Sequence, residues 1–456
     1  MQLLASVPDV WDAVKSDLAA ACVTAALWIM NTYLVIIVGA LLVRFLLDTV
    51  AELMNLGHVR TDVPDEFAEL YDAERYATSQ RYLRDTTRTG LIHDGVCTGV
   101  QLALILLGGF YLLDNVVRIP EWGSIPTGLL FAGGIALLLG ALDMPFSIYR
   151  TFVLEERYGF NNTTPRTFVL DILKGILLSI VIGAPLLSAV IWLFGCFPGA
   201  WWMVWALLVG VQVVLVFLAP FVIMPLFNTF TPMEDGEVRR MILDYAKGQS
   251  FPNAGIFTMD GSRRSSKSNA FFTGFGKSRR IVLFDTFLER HSPAEILAVV
   301  AHEMGHYKKR HIPSSMLRST IVSGVTCYLL ACFINNPGLF AAFGFPAEQV
   351  SVYASLIFFG FLYTPIGMAL GIMEHAISRR HEYEADGFAV DTCDEPEALA
   401  DALKKLSVDN LSNLAPHPLK VAVSYSHPPV LYRIRAIRER IANRPTRPRP
   451  PEDQAH

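Results

Sequence analysis

Ser292-Pro293-Ala294-Glu295-Ile296-Leu297-Ala298-Val299-Val300-Ala301-His302-Glu303-Met304-Gly305-His306 is the stretch on which the reading of this chain turns. Ser292, with Pro293 in the next position and Glu295 three residues on, is the pattern of a capped helix N-terminus. It predicts a helix over 293–310. The run 296–301 is apolar on nearly every side, which describes a buried helix. At its polar end, His302 and His306 are four residues apart and share a face, so both imidazoles aim at one point with Glu303 beside them. Two such histidines and an adjacent carboxylate can hold a metal ion and keep a base next to it.

Around this helix the chain is very apolar. Of 456 residues, 52% are hydrophobic and only 18% charged, with a mean hydropathy of +0.38, too apolar for a water-soluble enzyme of this size. Membrane-length runs fall at 19–43, 95–113, 125–142, 176–194, 201–221, 319–334 and 350–373, the sixth being short. The expected class is therefore an all-α polytopic membrane protein with seven transmembrane helices and a small β-containing domain around the His-Glu helix. An odd number of spans puts the termini on opposite sides. Lys15 stands among Asp9, Asp12 and Asp17 before the first run, and the second, fourth and sixth connections carry almost no basic residue beyond Arg118. The third connection carries Arg150, Arg157 and Arg166, the fifth has an excess of Lys and Arg, and the C-terminal region is Arg-rich. The N-terminus is thus expected outside and the C-terminus and the His-Glu helix on the cytoplasmic side. The first run is too long for a cleavable signal and lacks a basic leader, so it is expected to remain as an anchor.

The division this implies is 1–227 for five spans with a water-facing helical loop at 48–93, 228–318 for a soluble insertion containing the His-Glu helix, 319–373 for spans six and seven, 374–442 for supporting helices, and 443–456 for a Pro- and Arg-rich disordered tail. Within the insertion, 255–259, 269–273 and 280–284 read as short strands, the last two joined as a hairpin through 274–276. Gly276-Lys277-Ser278 looks like the end of a phosphate-binding loop, but Phe271 stands where such a loop requires glycine. A net charge of −4 gives no nucleic-acid footprint. Cys22, Cys97, Cys196, Cys327, Cys332 and Cys393 lie mostly in apolar runs without metal or disulfide spacing, and read as buried thiols.

Zinc catalysis takes three protein ligands and one open position, so a third donor must come from elsewhere. Ser378-Arg379-Arg380-His381-Glu382-Tyr383-Glu384-Ala385-Asp386 is the dense cluster of ligand-type side chains outside the helix. On a helix Glu382 and Asp386 share a face and Glu384 points away from it. We choose Glu382 as ligand and Asp386 as acceptor from a ligand histidine. His381 and His375 remain rivals, and a solvated charged helix end is the bland alternative. His291, His311 and His417 have no comparable support and are expected at the surface.

The His302–His306 and Ser378–Asp386 motifs together resemble those of the type I CAAX prenyl proteases, integral-membrane zinc metalloproteases with seven spans. Glu155-Glu156-Arg157-Tyr158-Gly159-Phe160-Asn161, Pro225-Leu226-Phe227-Asn228-Thr229-Phe230-Thr231-Pro232, Ser268-Asn269-Ala270-Phe271-Phe272, and Ser426-His427-Pro428-Pro429 with Arg433 extend the resemblance over most of the chain. The resemblance implies Glu382 as the third ligand and seven helices around a water-filled chamber with the zinc at its wall. It also implies that His427 and Arg433 sit beside the metal, His427 or Arg433 stabilising the oxyanion, with Arg433 alternatively orienting Glu382 or Asp386.

The expected activity is a membrane-embedded zinc metalloendopeptidase with one Zn2+ per chain, Glu303 as general base, and a peptide or protein substrate held as an added strand along Asn269 and Ala270. That substrate can be lipidated or membrane-associated, and the lipid bilayer is the other partner. The family implies cleavage near the end of prenylated proteins. The tail lacks a terminal dilysine, which favours a bacterial cytoplasmic membrane over the endoplasmic reticulum of a eukaryote. The rival class is a transporter or metal-gated channel with a non-catalytic motif, to which Asp143, Asp171 and Lys174 near span ends would also belong.

Overall fold

The computed structural model describes residues 31–444 apart from 61, 198, 252–254 and 275–278. The start of the first apolar run, the signal-peptide question, the Gly276-Lys277-Ser278 segment and the tail beyond 444 lie outside the described residues.

Among the described residues, six helices are long and apolar enough to cross a bilayer: α1 (Thr32–Gly57), α2 (Ala73–Leu106), α3 (Ser124–Glu155), α4 (Pro165–Cys196), α5 (Trp201–Phe227) and, after the inserted domain, His311–Phe333. A seventh span is bent by 56° between Val352–Leu362 and Thr364–Thr392. The helices overrun the apolar stretches because polar residues continue them into water: α2 begins at Ala73, well before the run at 95, with Asp72 capping it by accepting from the Arg75 backbone N–H at 2.6 Å. Prolines widen two spans into π turns, since a proline cannot donate to the carbonyl four residues back. Pro185 denies that bond to Val181 within Ser179–Gly183, and Pro225 denies it to Phe221 within Ala219–Ile223.

The spans pack little against one another. Only 6% of the apolar window of α2, 11% of that of α4 and 6% of that of α5 is buried inside the protein. A solid bundle would cover one side of each helix; these helices stand like staves, most of their surface left uncovered by the rest of the protein. The packing lies at the two ends. At one end Phe110, Phe131, Phe340, Phe343, Phe345 and Phe358 form an aromatic plug, with Phe343 and Phe358 stacked at 3.8 Å. At the other end lies the larger core of the soluble domain, with Ile242, Ile256, Leu283, Ile296, Val300, Met304, Leu399 and Ile434 among its members.

Between α5 and the sixth span, β1 (Phe230–Pro232), α6 (Glu237–Gly248), β2 (Ile256–Met259), β3 (Ala270–Thr273), β4 (Arg280–Phe284) and α7 (Pro293–Lys308) follow in order. The sheet order is β1-β2-β4-β3. β3 and β4 are antiparallel, Ala270 opposite Leu283, while β2 and β4 are parallel. The strand β1 and the parallel pair were not legible in the alternation pattern, because a three-residue strand beside Pro232 has none. β3 is a sheet edge, and it packs on α7. The sixth span is α8 (His311–Phe333), the bent seventh is α9 (Val352–Leu362) and α10 (Thr364–Thr392), and α11 (Ala398–Asp409) and α12 (Val430–Ala442) close the domain.

The domain grips the near ends of the spans. Asn55 Oδ1 at the end of α1 accepts from Asn413 and from the His417 backbone, each at 3.1 Å. Lys267 bridges Tyr82 of α2 at 2.8 Å and Glu155 of α3 at 2.9 Å. Arg264 forks onto Asp171 of α4 at 2.9 and 3.1 Å and donates to Asn228 after α5 at 2.8 Å. Asn31 meets Gly338 at 2.9 Å, at the plug end. Residue 31 therefore lies at the plug end of the helices and Ala442 in the domain at the other end. Asp171 and Lys174, which would suit a transport path, have structural partners instead: Asp171 holds the domain through Arg264, and Lys174 ties α4 to the end of α5, donating to the Leu226 carbonyl at 2.8 Å.

Candidate active site and metal centre

The capping box is formed: Ser292 Oγ accepts from the Glu295 N–H at 3.3 Å, and Glu295 accepts from the Ser292 N–H at 2.9 Å. It starts α7, which runs through the core to its polar end. There Gly305 decides how close α10 comes. A Cβ on Gly305 would stand 3.0 Å from both the Cα and the carbonyl oxygen of Ala385, backbone atoms that cannot rotate away. Gly305→Ala should push the two helices apart, lowering stability by about 1–3 kcal/mol and reducing hydrolysis, read by thermal unfolding in detergent beside a peptide assay.

With the helices this close, Glu382 of α10 meets both histidines. His302 Nε2 lies 3.5 Å from Glu382 Oε2 and His306 Nε2 lies 3.4 Å from Oε1, while the two Nε2 atoms are 3.2 Å apart. Among the described residues these three are the group able to hold a metal ion, one donor atom from each lying within 4.8 Å of the others. His381 and His375 do not join them. His381 stacks on His311 at 3.9 Å, and His375 lines a separate cavity with Arg44, Asp48 and Tyr363.

Behind the trio is a buried ionic wall. Asp386 Oδ1 takes the His302 Nδ1 hydrogen at 2.8 Å, and Arg433 forks onto Asp386 at 2.6 and 2.9 Å. Arg433 Nη1 also lies 3.4 Å from Glu382 Oε2. Arg433 thus faces the back of the trio, the orienting geometry considered from sequence. His427 is on the open side, largely exposed, with Nε2 3.4 Å from Glu382 Oε1. Its loop is held by Arg379, which donates to the carbonyls of Val421 at 2.9 Å and Tyr425 at 2.7 Å. Glu303 is partly buried beside the trio. Burial pushes its carboxyl above the usual range; Glu382 adds to the rise, and His302, His306 and Arg433 oppose it.

Asn269 is exposed and Ala270 buried at the start of the β3 edge. Asn269 Oδ1 caps the Ala270 N–H at 2.9 Å, and its carbonyl accepts from Phe284 at 3.2 Å. Because Asn269 turns its backbone to β4, Ala270 and Phe272 turn theirs to the free edge.

Two histidines expected at the surface are buried. His291 packs on Phe287 at 4.3 Å. His311 is 5% exposed, with Nδ1 3.0 Å from His306 Nδ1 and Nε2 3.1 Å from Glu384 Oε2. On an unbroken helix a residue five positions after His306 would face elsewhere. Arg310, left-handed at φ 59°, breaks the helix and turns His311 back. His417 is half-buried and caps its own short helix by accepting from the Leu419 N–H at 3.1 Å.

A set of membrane-length helices carrying two histidines and a glutamate that converge as metal donors, with a further carboxylate beside them, defines a multi-pass membrane metallopeptidase. Residues 52–229 match the family described as CAAX prenyl protease N-terminal, five membrane helices, and residues 232–441 match peptidase family M48. The chain is 33% identical over 414 residues to a CAAX prenyl protease 1 homolog of Arabidopsis thaliana, covering 88% of this chain and 96% of that protein. It is 34% identical over 402 residues to CAAX prenyl protease 1 of Saccharomyces cerevisiae, covering 83% and 88%. Its fold is similar to that in the crystal structure of S. mikatae Ste24p, with a TM-score of 0.83 at 32% identity over 89% of this chain and 99% of that one. The chain belongs to the type I CAAX prenyl protease family, within peptidase family M48. It is a hydrolase acting on peptide or protein substrates, and none of these matches favours a transporter.

Proposed function

We propose that the chain is a zinc endopeptidase in which His302, His306 and Glu382 hold one Zn2+ and Glu303 is the general base. The observation that carries this reading is the donor set. The Asp386 carboxylate behind His302 leaves that ring's Nε2 as a lone pair, and Glu382 Oε2 is buried without a hydrogen-bond partner. Crowded bases of this kind favour a shared cation, and Arg433 reaches only Glu382 Oε2 of the trio's facing atoms, from behind at 3.4 Å. Two nitrogens about 2.0 Å from one tetrahedral zinc stand about 3.3 Å apart, which matches the 3.2 Å between His302 and His306.

When bound, the zinc would supply a Lewis acid that acidifies water and polarises a carbonyl. Glu303, its carboxyl raised by burial, accepts the proton of the attacking water and passes it to the leaving amine. Asp386 and Arg433 hold His302 and Glu382 in place from behind. His427, on the open side, turns an N–H to the developing oxyanion. The substrate backbone pairs with Ala270 and Phe272 along the β3 edge as an added strand, with Asn269 moving off the Ala270 N–H to admit it. A cavity of about 410 Å3 beside His427, walled by Leu403, Leu406 and Pro428 on apolar surface and by Asn410 and Asn413 on polar surface, offers room for a substrate side chain.

The names of the relatives support prenylated proteins ending in a CAAX sequence as one substrate class, and the bilayer around the staves suits a lipid-bearing peptide. The basic residues on the domain side support a cytoplasmic active site with residue 31 across the membrane, in a bacterial cytoplasmic membrane or, in a eukaryote, the endoplasmic reticulum. The purified chain should carry one zinc, lose peptide hydrolysis on chelation, regain it with added zinc, and cut a farnesylated CAAX peptide better than its unmodified twin. Hydrolysis that survives complete metal removal would contradict the assignment, and equal cutting of the two peptides would remove the prenyl preference.

A further inference from the structure

The two histidines of the trio are supported differently. Behind His302 stands a carboxylate, Asp386, in direct contact. Behind His306 stands a second imidazole, His311, and only behind that a carboxylate, Glu384, whose other oxygen accepts from Arg380 Nε at 3.0 Å. The His311 ring is fixed in plane by the His381 ring, 3.9 Å away and 7° from parallel.

Hydrogen-bond chemistry dictates where the protons lie. A carboxylate only accepts, so His311 Nε2 carries the hydrogen directed at Glu384. A neutral His311 then presents a lone pair at Nδ1, and the hydrogen in the 3.0 Å contact with His306 belongs to His306 Nδ1. That leaves His306 Nε2 bare, facing His302 and Glu382. The opposite tautomer of His306 would point an N–H into the trio and could not bind a cation there.

We propose that Glu384 and His311 are positioning residues that set the tautomer and ring angle of His306, a relay doing through two side chains what Asp386 does for His302 in one. The inference rests on His306 being a metal ligand. It gives a role to Glu384, which points away from the Glu382 and Asp386 face of α10, and to the left-handed Arg310, which turns His311 back.

The test uses the full-length purified chain and zinc affinity by competition with a chelator of known strength. H311F keeps a ring to stack on His381 but removes the acceptor, and should bind zinc about 10- to 100-fold more weakly. E384Q keeps the shape but can donate as well as accept, so it no longer dictates the tautomer. It should weaken binding in the same direction and shift the visible spectrum of the cobalt-substituted protein. Thermal unfolding of the metal-free E384Q protein should match that of the unmodified chain, because Glu384 is partly exposed. If H311F does not fold, E384Q carries the test. Zinc affinity and cobalt spectrum unchanged in E384Q would overturn the relay. H302A separates this from the assignment beneath it: undiminished zinc binding by H302A would overturn the trio itself, whereas loss in H302A beside full affinity in E384Q overturns the relay alone.

Discussion

Glu303→Gln is expected to leave the chain folded and its metal bound while slowing peptide hydrolysis by about a hundred- to ten-thousand-fold, the usual contribution of a positioned acid–base group. The amide has the same shape, so packing beside the trio is kept, and Glu303 is not one of the three converging donors. What is lost is a carboxylate able to take a proton. Burial raises the Glu303 carboxyl, which makes it a stronger base toward water than an exposed glutamate. Zinc content measured beside kcat separates this from damage to the centre. A variant that cleaves at the normal rate would remove Glu303 from the mechanism.

Arg433→Ala should be the most destabilising single change at the site. Arg433 is 8% exposed, Asp386 2% and Glu382 4%, so removing the guanidinium leaves the Asp386 carboxylate buried without its cation and takes a neighbouring positive charge from Glu382. Breaking a buried pair in this way costs about 3–5 kcal/mol. Function should suffer as well, because Asp386 then loses the fork at 2.6 and 2.9 Å that aims it at His302. Thermal unfolding in detergent and zinc affinity should both fall. Arg433→Lys should rescue them only in part, since an ammonium cannot make the paired contact. A variant as stable as the unmodified chain would mean that the wall behind the trio is not a structural element.

The parts of the fold legible in the sequence were those written in local pattern. Ser292, Pro293 and Glu295 mark the start of α7, and the apolar runs mark the spans, because both signals lie within a few residues of one another. The span limits were less legible: α2 continues through Arg75 and Asp85, polar residues whose partners, Asp409 and Arg157, come from distant segments. Of the sheet order only the β3–β4 hairpin was legible, since the parallel pairing of β2 with β4 joins strands that have β3 between them in sequence and leaves no mark in local pattern. At the site, the helix-face argument brought Glu382 and Asp386 to the histidines correctly, because α10 is unbroken there. The same argument misplaced His311, because the left-handed Arg310 lies between it and His306. The approach permitted by Gly305 was hidden too, as a glycine in a helix has several explanations and only the 3.0 Å clearance to Ala385 selects one.

Anomalous diffraction at the zinc edge from crystals of the full-length chain tests the central claim most directly. One peak is expected per chain, within about 2.0–2.2 Å of His302 Nε2, His306 Nε2 and a Glu382 carboxylate oxygen, and it should vanish in His302→Ala. A zinc bound elsewhere, or no metal in crystals of protein that still hydrolyses peptides, would contradict the account.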